Sequence, residues 1–159
     1  MTIQFDLEKK IRSVMQPTEF IDPQYVATDN DINEIERQLG FVMPKSLIWF
    51  LKTFGAGGIN GVDLFGTGVP EHKYVIVDET KELIFDHPEL SEKHWILLEK
   101  SEIGWVFVMD VASADVDLMD APINAYNIFT GNSEKVWNGF YDYLAERFGF
   151  TDSRIGDSL

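Results

Sequence analysis

MPKSLIWFLKTFGAGGINGVDLFG, residues 43–66, carries the signals that decide the fold. Proline at 44 suits the first turn of a helix, where a missing N–H costs no hydrogen bond, and glycine suits the left-handed conformation that ends one. Between them Leu47, Ile48, Phe50, Leu51 and Phe54 make an apolar face. The spacing predicts a helix that begins at Pro44 and stops in the glycine cluster that follows Phe54. Gly55, Gly57, Gly58 and Gly61 then fall within seven residues, which invites a phosphate-loop reading. That reading fails. Asn60 stands where the third glycine of G-x-G-x-x-G belongs, the cluster follows a helix instead of a strand, and no Gly-Lys-Ser/Thr closes it. A helix stop and a tight backbone turn remain, so Gly40, Pro44, Gly55, Gly57 and Gly58 read as structural.

Upstream, Phe5, Leu7, Ile11 and Val14 in FDLEKKIRSVM predict a short first helix. Thr28 or Asp29 can cap a second, DINEIERQLG, with Ile32, Ile35 and Leu39 at helical spacing and Gly40 as its stop. So short a link to the Pro44 helix predicts a helical hairpin. Downstream the period becomes extended. Val62–Phe65 and Lys73–Val77 read as strands, the second followed by a brief helical stretch through Glu82. Trp95–Leu98 and Trp105–Met109 flank a turn at Lys100–Gly104, and Ala125–Phe129 reads as a further strand. Ser133 then caps a last helix, with Val136, Phe140, Tyr143, Leu144 and Phe148 on one face and Gly149 as its stop. The order predicts an α+β domain: N-terminal helices packed on a mostly antiparallel central sheet, closed by a C-terminal helix. At 159 residues one domain is expected, with 150–159 read as a flexible tail.

The chain has no cysteine, which removes disulfides, thiolate chemistry and Cys-based zinc sites. Its N-terminus lacks the apolar run of a signal peptide, and no segment is apolar for long enough to span a membrane, so cytoplasmic residence is expected. The net charge is −14, and its distribution is uneven. Residues 61–120 hold 14 acids against 4 bases, whereas residues 1–60 hold 8 against 6. Such a field repels nucleic acid and anionic membrane, and attracts basic partners.

Few residues suggest chemistry. His72, His87 and His94 form no HExxH or His-x-His pattern, and no serine sits in G-x-S-x-G. Asp110, Asp115, Asp117 and Asp120 make the densest carboxylate run, but a calcium loop starting at Asp115 would lack its sixth-position glycine and twelfth-position glutamate. Trp49, Trp95, Trp105 and Trp137 each lie in an apolar-periodic segment and read as packing residues. No catalytic residue, cofactor site or metal site is expected.

The helix pair and its glycines nonetheless form a recognisable pattern: Ile32, Ile35, Leu39, Gly40, Pro44, Leu47, Phe50, Leu51, Gly57 and Gly58. It resembles the SUKH superfamily, whose best-known branch includes a fungal cell-wall-assembly regulator of glucan synthesis. Later parts agree in order, with Trp105, Phe107 and Asp110 in a W-x-F-x-x-D strand and Phe140 and Leu144 in a closing aromatic helix. The likeness spans residues 29–148 and is motif-specific in the N-terminal third. Met43-Pro44 replaces the usual Leu-Pro, a volume-conserving swap. The run WFLKTFGAGGINGVDLFG is similar to bacterial single-domain members found beside secreted polymorphic toxins. The resemblance implies an immunity protein without enzyme activity, which neutralises a cognate basic toxin, often a nuclease, by protein–protein contact. Charge alone selects the contact residues: Asp78, Glu79, Glu82, Asp86, Glu89, Glu92, Asp115, Asp117 and Asp120. The alternatives are a general regulatory scaffold, as in the fungal branch, and an enzyme or small-ligand binder with a cleft near the glycine turn.

Overall fold

The computed structural model describes residues 2–16, 18–101 and 103–150. Within them the order is α1 (Thr2–Val14), α2 (Asp29–Leu39), α3 (Lys45–Thr53), α4 (Val75–Asp86), β1 (Trp95–Lys100), β2 (Trp105–Asp110), β3 (Ile123–Asn127), β4 (Ser133–Trp137) and α5 (Phe140–Arg147). The strands form one antiparallel meander, β1-β2-β3-β4. The architecture is α+β with a closing helix, as expected. The tail expected from 150 onward lies, Phe150 apart, outside the described residues.

Helices cover both faces of the sheet. Ile96, Leu98, Met109 and Ile123 on one face join Leu47, Phe50 and Leu51 of α3 and Phe140, Tyr143 and Leu144 of α5 in the main core. On the other face Leu97, Val106, Val108 and Tyr126 pack with Leu83 of α4 and with Leu90. Burial on both faces is why β1 reads as a continuous apolar run, Trp95 to Leu98, without alternation. Each fully buried side chain of this kind stabilises the fold by roughly 1.5–3 kcal/mol.

Local signals set the helix ends. The Thr28 hydroxyl accepts the Asp31 N–H and the Asp31 carboxylate accepts the Thr28 N–H, a reciprocal cap on α2. Gly40 ends that helix at φ +90°. Pro44 stands one residue outside α3, not in its first turn: its ψ of 151° is extended, and the helix begins at Lys45. At the other end Phe54 caps α3 and Gly55 turns left-handed at φ +78°. The α2 and α3 termini are tied across the pair by Ala27 N–H to Leu51 C=O at 2.9 Å and by Lys52 Nζ to Asp29 at 2.6 Å. On α1, Leu7 and Ile11 are buried, but Phe5 and Val14 are exposed.

Three expected elements differ. Val62–Phe65 is not a strand: Leu64 exchanges two 3.0 Å backbone hydrogen bonds with Gly57, an isolated bridge, before the chain passes through Gly66. Lys73–Val77 is not a strand either, because α4 starts at Val75 and runs to Asp86, past the expected end at Glu82. Ile76, Val77, Thr80 and Leu83 are its buried residues, a helical stripe of which the run Tyr74–Val77 displays only one end. The segment from Ser133 to Trp137 is β4 rather than the start of the last helix. Asn127 Oδ1 accepts the Phe129 and Thr130 N–H groups, and Gly131 turns at φ +78°, so the chain folds straight back onto β3. Helix α5 therefore starts only after Gly139, and Val136 is exposed, whereas Phe140, Tyr143, Leu144 and Phe148 are buried and Gly149 ends the segment at φ +84°.

Among the described residues two carboxylates lie inside, Asp31 at the α2 cap and Glu99. A bulge between Leu97 and Glu99 turns Glu99 toward α5, opposite Phe107. There it is 3% exposed, accepts the Tyr143 hydroxyl at 2.5 Å and pairs with Arg147. Burial, followed by the adjacent Glu99 carboxylate, pushes the Tyr143 hydroxyl well above its usual range.

Candidate functional site

The inward stripe of α4 forces its other residues outward. Asp78, Glu82 and Asp86 are exposed, and so is Phe85 at 83%. Among the described residues none of these three carboxylates has an ion-pair or hydrogen-bond partner. Glu79, half-buried beside them, has Lys100 Nζ 3.0 Å away, an ion pair without hydrogen-bond alignment. The helix is thus presented to solvent as a run of free carboxylates around one bare aromatic ring.

A groove of about 190 Å³ runs between α4 and the ends of the two hairpins. Glu79, Glu82 and Asp86 stand on its helix side, and Trp105 and Ile128 face them from the sheet. Beyond the helix, Glu89 is exposed but accepts the hydroxyl of buried Tyr126 at 2.8 Å. That bond holds the Glu89 carboxyl below its usual range. Burial, with Glu89 second, pushes the Tyr126 hydroxyl up to about 12. The His87 ring lies against Tyr126 with Nδ1 3.7 Å from Glu89. Glu92 is exposed at the edge of a shallow polar depression that also includes Asp110, Asn124 and Ser133.

The three remaining acids are elsewhere and are differently used. The loop 115–120 sits on the N-terminus of α3, whose Lys45 and Ser46 N–H groups donate to the Leu118 and Met119 carbonyls at 2.8 and 3.0 Å. Asp115 Oδ1 accepts the Met119 N–H and so holds its own turn. Asp120 Oδ1 accepts the Ser46 hydroxyl at 2.7 Å and the Phe140 N–H at 2.8 Å, joining the first turns of α3 and α5. Gly139 is there because a Cβ would collide with that carboxylate. Burial raises the Asp120 carboxyl above its usual value, against the bonds from Phe140, Ser46 and Ala121. Asp120 is a pin between helices, and Asp117 alone of the three is exposed and unbonded among the described residues.

The acids expected at a contact surface therefore fall into two places: Asp78 to Glu92 along α4 and the following turn, and Asp115 to Asp120 against α3. Sequence reasoning missed Phe85, Trp105 and Ile128 as neighbours of the first group. Extending the helical stripe from Ile76 to Leu83 would have placed Phe85 outside; nothing local brings Trp105 or Ile128 to α4. A Cβ on Gly57 would collide with the Glu19 carbonyl, and one on Gly58 with that of Val62.

Among the described residues no group of three or more His, Asp or Glu side chains is placed to hold a metal ion. No described helix is long and apolar enough to cross a membrane. The chain is thus an α+β protein with a glycine-terminated helix pair, an antiparallel meander and a closing C-terminal helix. The SUKH_5 family model, described as SMI1-KNR4 cell-wall, matches residues 7–149, and the chain belongs to that family. Among curated proteins none matches the chain significantly.

Proposed function

We propose that this family member is an immunity protein: it binds a cognate basic toxin, such as a secreted nuclease, inside the cell and blocks it by covering it. The observation that carries this reading is the outer face of α4, where Asp78, Glu82 and Asp86 are exposed and unpaired around Phe85. Free carboxylates have no existing ion pair to break before they meet a cation, and they steer a positively charged partner by long-range attraction. An exposed aromatic ring supplies the apolar anchor that charge alone lacks. A nuclease must itself carry a basic surface to hold nucleic acid, so the complementarity is chemical as well as numerical.

Co-expression with the toxin encoded in the neighbouring gene tests the reading. Growth should be restored and a one-to-one complex should be purified. Continued killing while both proteins remain soluble would sink it. The family description, with its reference to the cell wall, favours a second reading as a regulatory scaffold. A scaffold would bind several proteins of its own cell and would rescue growth from no toxin.

A further inference from the structure

The groove beside α4 has a lining that the rest of the acidic face lacks. Its floor is apolar, from Leu83, Val106 and Ile128, and half-buried Trp105 forms one wall. Three acids and one lysine stand around it: Lys100 of β1 answers Glu79, while Glu82 and Asp86 have no partner among the described residues. The groove therefore presents an apolar interior and two uncompensated carboxylates at its rim. Its volume of about 190 Å³ is below the roughly 300–1,000 Å³ of small-molecule sites. It has room for one long side chain.

An aliphatic stem that ends in a delocalised cation fits this lining. A guanidinium can lie flat on an indole while its N–H groups fork to carboxylates, which an ammonium cannot do as well. We propose that the groove takes a single arginine projected by a protein partner, with its stem on Leu83 and Ile128 and its guanidinium between Trp105 and the Glu82 and Asp86 carboxylates. Ile103 and Phe129, 84% and 75% exposed, stand at the hairpin ends, and the Phe129 ring lies over Gly104, where a Cβ would collide with it. They adjoin the lining residues Gly104 and Ile128 in the chain and give the bound partner apolar surface beside the anchor. The inference rests on the protein-binding reading above and names the contact within it.

The test uses the full chain, labelled for NMR and titrated with a capped pentapeptide bearing one central arginine, and with its lysine and citrulline counterparts. The arginine peptide should shift the Trp105 indole and the Gly104 and Ile128 amides. Citrulline, the neutral isostere, should bind about tenfold more weakly or worse, as should the arginine peptide to Glu82→Gln/Asp86→Asn. Asp117→Asn, in the distant acidic loop, should leave the affinity unchanged. Three results would overturn the proposal: shifts spread evenly over the acidic surface, equal binding of citrulline or lysine, or an equal loss with Asp117→Asn. Co-expression separates this inference from the broader one. If the wild-type chain and Glu82→Gln/Asp86→Asn rescue growth and hold the toxin equally well, the groove is not the anchor although the immunity reading stands. If the peptide binds as expected but the wild-type chain fails to rescue, the groove stands and the immunity reading falls.

Discussion

The Asp31 carboxylate accepts hydrogen bonds from the Thr28 N–H and the Tyr74 hydroxyl, with Lys73 Nζ 3.1 Å away. Burial by itself would raise this carboxyl, but those bonds outweigh it and hold the group at about 2, against an ordinary 3.8. Because the folded value is depressed, the stabilisation is complete above about pH 4 and disappears as pH falls to about 2. Asp31→Asn should cost about 2 kcal/mol at neutral pH, and urea denaturation should find the gap from wild type closing as pH approaches 2. Gly57 is a second such residue. Its φ is +106°, and a side chain there would strike the Glu19 carbonyl and Phe20 Cα. Gly61, at φ +81°, has open space around it. Left-handed backbone alone costs an L-residue roughly 1–2 kcal/mol, so Gly61→Ala should lose about that much and Gly57→Ala clearly more. Equal midpoints in thermal melts of the two variants would contradict the account.

Among the elements, α4 has two separate duties. Its inner side helps to close the outer edge of β1, where the Thr80 hydroxyl accepts the Leu97 N–H at 2.9 Å; the Phe65 N–H, from the segment before α4, donates to the Leu98 C=O at 2.8 Å. An edge strand so capped offers no free ladder to another chain at that point. Thr80→Val keeps the shape but leaves a buried N–H unsatisfied, which should cost roughly 1–3 kcal/mol. Amide exchange at Leu97 should quicken more than at Ile96; a uniform change would mean the bond carries no local weight. The outer side carries the charge. Helix was legible in this segment only from Asp78 onward, because Lys73–Val77 is short and apolar and fits either period. The misreading at Ser133–Trp137 has a different origin. SEKVW has a serine in a capping position, but the turn at Asn127–Gly131 returns it to β3, and pairing overrides propensity.

For the whole molecule, the −14 charge is a self-repulsion as well as a lure. Added salt shortens the reach of both. The melting temperature should rise between about 10 and 150 mM sodium chloride, where the Debye length falls from roughly 30 to 8 Å. The rise should be smaller in a variant with Asp78, Glu82, Asp86 and Glu92 made neutral amides, because these acids have no cation to lose. Scanning calorimetry at two salt concentrations decides it, and an unchanged rise in the variant would show that the repulsion resides elsewhere.

Both ends of α2, the C-terminal stops of α3 and α5, and the charge density were legible in the sequence because they depend on neighbours a turn away or on counting. Thr28, Gly40, Gly55 and Gly149 act within their own helix termini, and the acids of 61–120 are acids in any fold. The tertiary structure decided which of them are free. Asp120 looked like Asp117 until Ser46 and Phe140 arrived from distant positions to bind it. Glu99 is buried and bonded because α5 brings Tyr143 and Arg147 to it. It also decided that Trp105 and Ile128 face α4 across a groove. Local conformational preference is written in a few consecutive residues, whereas burial and pairing between remote segments exist only once the chain has closed on itself.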